Sequence, residues 1–219
     1  MRVYLKIKSN NCSIPFSHQH LLVGTIHKWL GWNQLHGNKA LFSFSRIEKG
    51  KSTNEGLKLG DFSSMYFSAH DDTVIKNLIR GIQTDPTMFN KLNVTDIVIQ
   101  ENLDFSNQNY FSLGSPIFVK RNTGDTKTKH FIYSEKETSE LLTETLKTKM
   151  KVAGISDDSL EIFFDQAYPN PQVKLIDYNG IKNRANWCPV IINGKPETKL
   201  FAWNVGLGNS TGIGFGAIK

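Results

Sequence analysis

The first 31 residues, MRVYLKIKSNNCSIPFSHQHLLVGTIHKWLG (1–31), place a strand pattern directly before a helix pattern. Over residues 2–8 the apolar side chains of Val3, Leu5 and Ile7 alternate with polar or aromatic ones, which is the period of a half-buried strand. The opposite side is basic and aromatic and is expected to face solvent; it carries Arg2, Tyr4, Lys6 and Lys8. The chain is therefore expected to begin with an amphipathic β-strand.

The helix that follows is predicted to be capped by Ser17 and to end at Gly31. Its apolar positions recur at helical spacing: Leu21, Leu22, Thr25, Ile26, Trp29 and Leu30. Strand patterns cover residues 40–47, 58–68 and 94–100, and a second amphipathic helix opens at Asp71 and Asp72. The order βαββαβ is that of a ferredoxin-like unit.

A second unit is predicted after the aperiodic stretch ENLDFSNQNYFS (101–112), which reads as a linker. Ser134 and Glu137 form a capping-box pattern for a helix that ends at Gly154. Strands are expected at residues 116–121, 129–133, 160–164 and 173–178, then beyond the Asn179-Gly180 turn to the terminus. The prediction is an α+β protein of two tandem ferredoxin-like (RRM-like) units, residues 1–105 and 112–219, the second more β-rich and irregular.

Composition indicates a soluble globular protein, with 39% hydrophobic and 21% charged residues in 219. No apolar run approaches the length of a membrane span, and the first residues do not resemble a secretory signal, so a cytoplasmic location without membrane contact is expected. The two cysteines, Cys12 and Cys188, lack metal-ligand spacing and are expected to be buried thiols.

The net charge of +6 and the pI of about 9.2 suit a partner rich in phosphate, although many basic proteins bind no nucleic acid. Basic residues cluster in the second unit and would bind an RNA backbone or simply be solvated: Lys120, Arg121, Lys127, Lys129, Lys174, Lys182 and Arg184. Tyr178 and Trp187 are candidates for base stacking, with core packing as the alternative.

The chain closes on NVGLGNSTGIGFGAIK (204–219), whose glycines are Gly206, Gly208, Gly212, Gly214 and Gly216. Their spacing fits neither a dinucleotide fingerprint nor a P-loop. Gly212, Gly214 and Gly216 share one parity, which predicts a strand with one face of bare backbone. Such a face allows close approach, either of RNA or of a helix or the first unit in tight packing.

With these elements in place, the chain resembles the CRISPR repeat-processing endoribonucleases. The resemblance spans nearly the whole chain and is carried by PFSHQHLLVGTIHKWL (15–30), LHGNKALFSFSRI (35–47), LGSPIFVKR (113–121), DYNGIKNRANW (177–187) and, most specifically, the terminal glycine-rich segment. It implies tandem ferredoxin-like units and metal-independent cleavage of CRISPR precursor RNA within each repeat, which leaves guide RNAs with a repeat-derived 5′ tag.

Residue roles follow from the same resemblance. His36, between the first helix and Leu41-Phe42-Ser43-Phe44-Ser45-Arg46, matches the frequent general acid/base histidine of the family. His27 matches a position often held by tyrosine, and Lys39 would stabilise the transition-state charge. His20 is the reserve candidate, and His18, at the helix start, would either approach the cap or contact phosphate. The alternatives are a partly buried helix residue for His27 and a solvated strand residue for Lys39, and His70 and His130 are expected at the surface.

Two alternatives remain open at this stage. A non-catalytic RNA-binding subunit of a CRISPR effector complex would share the folds but lack convergent histidines, so the His27 and His36 pair favours the enzyme. A plain RRM-like module is disfavoured because no RNP1-type motif is present. No cofactor and no metal site are predicted; the expected partner is CRISPR repeat RNA, as precursor and processed guide, and membership of an effector complex and homodimerisation are left open.

Overall fold

A computed structural model describes residues 1–9, 12–31, 40–124 and 128–219 of the protein, with the backbone alone at residues 61 and 62. The described residues of the first half form six strands and two helices. They are β1 (Arg2–Lys8), β2 (Ser13–Ile14), α1 (Gln19–Leu30), β3 (Phe42–Phe44), β4 (Glu48–Thr53), β5 (Gly56–Ala69), α2 (Asp72–Thr84) and β6 (Asn93–Gln100), with a 3₁₀ turn at Phe89–Lys91.

The sheet of the first half is antiparallel and has the order β2-β5-β1-β6, with β3 and β4 also pairing with β5. Its centre is β1, whose Val3, Leu5 and Ile7 are almost completely buried beneath the helices. The last strand therefore lies beside the first, as the predicted βαββαβ unit requires. Strand β4 is an addition that its charged sequence, EKGKST, did not predict.

The starts of α1 and α2 are each held by a hydrogen bond or ring contact of a nearby side chain. Asp71 caps α2 as predicted, since its carboxylate accepts a hydrogen bond from the amide of Thr73 at 2.8 Å. The prediction that Ser17 caps α1 is wrong: His18 occupies the cap position without a side-chain capping bond. The Nδ1 atom of His18 instead pairs with the Pro15 carbonyl at 2.8 Å, and its ring stacks on Phe89.

The second half is built from shorter pieces. It contains β7 (Tyr110–Phe111), β8 (Lys120–Asn122), β9 (Thr128–His130), α3 (Glu137–Val152), β10 (Glu161–Phe164), β11 (Gln172–Tyr178), β12 (Ile181–Trp187), β13 (Val190–Asn193) and α4 (Pro196–Val205), with a 3₁₀ turn at Thr211–Ile213. The main sheet has the order β10-β13-β7. A bridge between Leu113 and Ile218 pairs the chain terminus with the residues that follow β7. The α+β class with two ferredoxin-like units is thus confirmed.

Two helical features of the second half differ from the sequence predictions. The capping box at Ser134 is wrong, because α3 begins at Glu137 after Lys136 with no side-chain cap. Its start is held instead by Thr138, whose hydroxyl donates to the Ile132 carbonyl at 2.6 Å. Residues 196–205 form α4 and not a strand; Pro196 at its first turn and a mostly buried surface suit a packed helix.

The linker is firmly attached to the second half. Phe105 is buried in its core, and the ammonium of Lys199 on α4 donates to the Phe105 carbonyl and to Asn109 Oδ1 at 3.0 and 2.7 Å. The main buried clusters separate along the chain, one within residues 3–94 and one within residues 105–218. The predicted division into residues 1–105 and 112–219 stays a prediction, and Phe105 packs with the second half.

Arg2 joins the two halves, although the strand pattern predicted that it faces solvent. Its guanidinium is fully buried between the rings of Tyr66 and Trp203, at 3.9 and 3.4 Å from their centroids. It donates to Ser68 Oγ and to the carbonyls of Trp203 and Ile218, all within 2.8 Å. The prediction was wrong because the second half covers this end of the sheet.

Replacing Arg2 should therefore weaken the whole fold. We expect Arg2→Ala to lower the free energy of unfolding by about 3 kcal/mol, because it leaves a cavity and removes the charge-assisted hydrogen bonds to Ser68 Oγ and to the carbonyls of Trp203 and Ile218. Arg80→Ala, at an exposed arginine of α2, is the matched control and should change stability by less than about 0.5 kcal/mol. Urea unfolding of the three proteins measures the difference, and equal stability of Arg2→Ala and wild type would contradict this role.

Thiols and hydropathy add little to the fold. Cys188 is buried as expected, whereas Cys12 is only half-buried, and both are free thiols. Among the helices of the described residues, none combines the length and the apolar character needed to cross a membrane.

Candidate functional site

The two histidines of α1 share one side of the helix, although the Nδ1 atom of His27 is buried. His20 is exposed and His27 is half-buried, two helical turns further along. Seven residues of helix correspond to about 10 Å along the axis, whereas a general acid or base must reach its proton within hydrogen-bond distance. We therefore expect at most one of these two residues to act on a given scissile phosphate. His36 and Lys39 lie outside the described residues, so their placement stays a prediction.

Gly24 lies between these histidines and leaves that side of α1 bare. A Cβ atom built on it would meet no described atom within 4 Å, so the packing of the described residues gives no reason for a glycine there. Glycine inside a helix costs about 1 kcal/mol relative to alanine. Among the described residues, the strip from His20 to His27 is therefore open at Gly24, where a ligand backbone can approach closely.

The terminal glycine-rich segment is not a strand, and that prediction was wrong. It forms the 3₁₀ turn at Thr211–Ile213 within an irregular path, and Gly214 and Gly216 have φ angles of 86° and 72°. These left-handed angles favour glycine. A side chain at Gly214 would overlap the amide of Gln19, and one at Gly216 would overlap the Leu207 carbonyl. Tight packing, the alternative explanation, accounts for both positions.

The same segment packs against the first half. Cβ atoms at Gly206 and Gly212 would come within 2.8 Å of Ser43 and 2.9 Å of Ala40. Gly208 is constrained by the second half, where a side chain would overlap the Phe118 carbonyl. The amides of Gly206, Gly214 and Gly216 already donate within the protein, to the carbonyls of Ala202, Thr211 and Pro116 respectively. RNA contact by the five glycines stays a prediction, and these amides could reach phosphate only by giving up internal bonds.

A buried lysine that sequence reasoning missed holds the beginning of this segment. The ammonium of Lys149 on α3 donates to the carbonyls of Val205 and Gly206 at 3.4 and 3.1 Å and to the Thr211 hydroxyl at 3.2 Å. Burial lowers the pKa of Lys149 to about 7. Because the group is almost completely enclosed, its role is to position the segment rather than to contact RNA.

The basic residues around β8 and β9 divide into bound and available side chains. Arg121 donates to the Leu141 carbonyl and Thr145 Oγ1 and pairs with Glu144 at 3.2 Å, which ties β8 to α3. Lys129 pairs with Glu135 at 2.9 Å. Lys120 has no ion pair among the described residues and lies with its ammonium 5.6 Å from the Phe118 ring centroid. Lys127 lies outside the described residues.

The β11–β12 hairpin carries the other predicted RNA-binding cations. The Asn179-Gly180 turn is confirmed, with φ angles of 51° and 79°. Lys182 and Arg184 are exposed on β12, whereas Lys174 on β11 is half-buried. These three lysine and arginine side chains make no ion pair within the part of the chain that the structure describes. They are the positive charges most readily offered to an external phosphate.

His130 belongs to this basic surface more closely than its predicted surface position suggests. Its ring packs edge-on against Phe118, with centroids 4.9 Å apart, and Nδ1 accepts a weak hydrogen bond from the Arg184 amide at 3.4 Å. Partial burial, together with the charges of Lys120 and Arg184, lowers the pKa of His130. His130 is therefore expected to be neutral and to contribute shape rather than charge at neutral pH.

The aromatic candidates of the hairpin are core residues more than stacking surfaces. Tyr178 packs against the buried cluster of the first half, and Trp187 packs against that of the second half; both are half-buried. Core packing, the alternative left open for them, describes their observed contacts. Base stacking by either residue stays a prediction.

Comparisons with known proteins agree with the two-unit fold. Residues 99–219 match the family described as CRISPR associated protein Cas6, C-terminal. The chain is 27% identical over 244 aligned residues to a CRISPR-associated endoribonuclease-like protein Cas6 of Pyrococcus furiosus, with 100% of this chain and 98% of the relative covered.

Solved structures show the same similarity in three dimensions. A Cas6-related protein from Pyrococcus furiosus superposes with a TM-score of 0.87 at 24% identity, covering 100% of this chain and 97% of the other. A structure described as an RAMP protein binding different RNA substrates gives a TM-score of 0.85 at 22% identity, covering 100% and 98%. At these identities the likeness establishes the fold.

Proposed function

Because the chain belongs to the Cas6 family of CRISPR-associated proteins, we propose that it is an endoribonuclease that cleaves CRISPR precursor RNA within its repeats. The observation that carries this proposal is the family match over residues 99–219. The endoribonuclease-like description of the Pyrococcus furiosus relative, which aligns over the whole chain, supports the activity. The repeat-containing precursor is the substrate, and guide RNAs are the products.

The proposed chemistry is transesterification. The ribose 2′-oxygen attacks the adjacent phosphorus while its proton passes to a general base, and the bond to the 5′-oxygen of the next nucleotide breaks as that oxygen gains a proton from a general acid. The products are a 2′,3′-cyclic phosphate and a 5′-hydroxyl. Histidine suits both proton transfers near neutral pH, so His36 with either His27 or His20 supplies the pair, and Lys39 stabilises the phosphorane charge.

RNA binding is assigned to two surfaces. The bare strip around Gly24 on α1 admits the RNA backbone beside the histidines. Lys120, Lys174, Lys182 and Arg184 supply sequence-independent phosphate contacts, and the short hairpin of a repeat would be recognised chiefly by shape. The solved neighbour that binds different RNA substrates supports this use of the fold. Assembly into an effector complex or a homodimer stays a prediction.

Incubation of the purified protein with the CRISPR repeat RNA of its host tests the function. We expect cleavage at one position in the presence of EDTA, with a 5′-hydroxyl on one product and a 2′,3′-cyclic phosphate or its ring-opened form on the other. Gel analysis with end-specific labelling identifies these ends. A scrambled RNA of equal length is the control. Tight binding without cleavage of the cognate repeat would favour the non-catalytic subunit, and activity restored only by a divalent ion would refute the metal-independent mechanism.

A further inference from the structure

A cleft of about 320 Å³ opens between the two halves, where the start of α1 and the end of the β3 segment face strand β11. Phe16 and Arg46 line it from the first half, and Lys174, Leu175 and Asp177 line it from the second. Of the proposed catalytic residues, His20 and His27 lie within the described part of the chain, and neither of them lines the cleft.

Arg46 is the unusual member of the cleft. Its Nε atom is buried and has no hydrogen-bond partner among the described residues, and Arg46 takes part in none of the ion pairs found there. Burial lowers the pKa of its guanidinium. Arg46 as a whole is half-buried, and a buried guanidinium nitrogen without a hydrogen-bond partner is costly, so this geometry is expected where an anionic ligand completes the site.

The charge of the cleft wall is net positive. Lys174 adds a second cation at the cleft without an ion pair of its own among the described residues. The one carboxylate, Asp177, accepts a hydrogen bond from the Gly180 amide at 3.0 Å and lies directly opposite Lys182 in the hairpin register. The Gly180 amide thus engages this carboxylate, and two cations, Arg46 and Lys174, face one carboxylate in the cleft wall.

Exposed apolar side chains flank these cations. Phe16 is 58% exposed and Leu175 is 59% exposed, one on each wall of the cleft. An aromatic face beside phosphate-binding cations is the combination that single-stranded nucleic acid uses, with the phosphate on the cations and a base stacked on the ring.

We propose that this cleft binds one phosphodiester group of unpaired repeat RNA through Arg46 and Lys174, with the adjacent base against Phe16. The proposal rests on the RNA-processing function above and names a positioning contact for the substrate. Arg46 and Phe16 come from the first half and Lys174 from the second, so an RNA strand bound here bridges both halves.

Binding of uncleavable repeat RNA, with a 2′-deoxy nucleotide at the scissile position, tests this contact across a range of salt concentrations. Arg46→Gln is expected to weaken binding about tenfold and to lower the salt slope by about 1. Phe16→Ala should weaken binding about tenfold with an unchanged slope, because a stacking contact releases no counterion. Arg80→Gln and Phe163→Ala, which replace exposed residues of the same types elsewhere, are the matched controls and should bind like wild type.

The outcomes separate this proposal from the function. If wild type binds the repeat while Arg46→Gln keeps both its affinity and its salt slope, the cleft proposal is overturned and the proposed function stands. If wild type binds no cognate repeat, both are overturned. A thermal melt checks the fold of each variant, and should Arg46→Gln fail to fold, Lys174→Gln decides by the same change in affinity and slope.

Discussion

A repeat RNA with a single 2′-deoxy nucleotide just upstream of the scissile phosphate is expected to remain uncut by this protein. The proposed nucleophile is the 2′-hydroxyl of the RNA itself, so its removal abolishes the reaction rather than slowing it. Affinity should be nearly unchanged, because most of it comes from phosphate contacts. A binding titration beside single-turnover cleavage, on deoxy and unmodified RNA, measures both quantities.

The deoxy substitution also has an internal control. A 2′-deoxy nucleotide placed several residues away from the scissile phosphate should leave cleavage intact, since only the attacking hydroxyl takes part in the chemistry. Cleavage of the RNA that lacks this hydroxyl would show that water, and not the ribose, is the nucleophile, and would refute transesterification.

His36→Ala is expected to slow cleavage by about 10²- to 10⁴-fold while RNA affinity changes little. This is the range for the loss of one general acid or base, which acts on the transition state and contributes little to ground-state binding. Single-turnover rates at saturating protein, together with dissociation constants for the uncleavable RNA, separate the two effects.

Three further histidine variants are compared with His36→Ala. His70→Ala is the control, because His70 is an exposed histidine with no proposed role, and it should cleave at the wild-type rate. His27→Ala and His20→Ala identify the second proton-transfer group. Because His20 and His27 lie far apart along α1, we expect only one of the two variants to cleave slowly. A wild-type rate for His36→Ala would assign its role to one of these two residues.

Local sequence patterns were sufficient for the order of the main strands and helices in the first ferredoxin-like unit, but not for β4 or for the burial of Arg2. The alternation in β1 and the apolar spacing in α1 and α2 are short-range patterns, and the side chains that produce them are the ones buried in the observed core. Capping was predicted less well: the Asp71 cap of α2 is confirmed, while the caps at Ser17 and Ser134 are wrong. A polar side chain near a helix start can accept a hydrogen bond from any of several nearby groups. Its contacts with neighbouring residues determine which of these bonds forms.

The catalytic and RNA-binding candidates were predicted by resemblance and charge, and the structure shows for some of them whether the side chain is free to bind RNA. The guanidinium of Arg121 is hydrogen-bonded to α3, whereas Lys182 and Arg184 face solvent. No charge pattern distinguishes an engaged arginine from an available one, because the engaging groups on α3 are some 20 residues away in sequence. Arg46 lies in a segment that carries the family resemblance, but the sequence predicted no role for it. Its position in a cleft depends on β11 from the other half.

Short-range patterns are enough to derive the α+β class and the βαββαβ order of the first unit, because each depends on the periodicity of neighbouring residues. The packing of the terminal glycines and the positions of Arg2, Lys149 and Arg46 depend instead on tertiary contacts. Each of these three side chains is enclosed by contacts between distant parts of the chain, such as the Trp203 ring over Arg2. The sequence next to a residue does not show which distant segment packs over it. A side chain on the face of a strand that is predicted to be exposed can therefore still be buried.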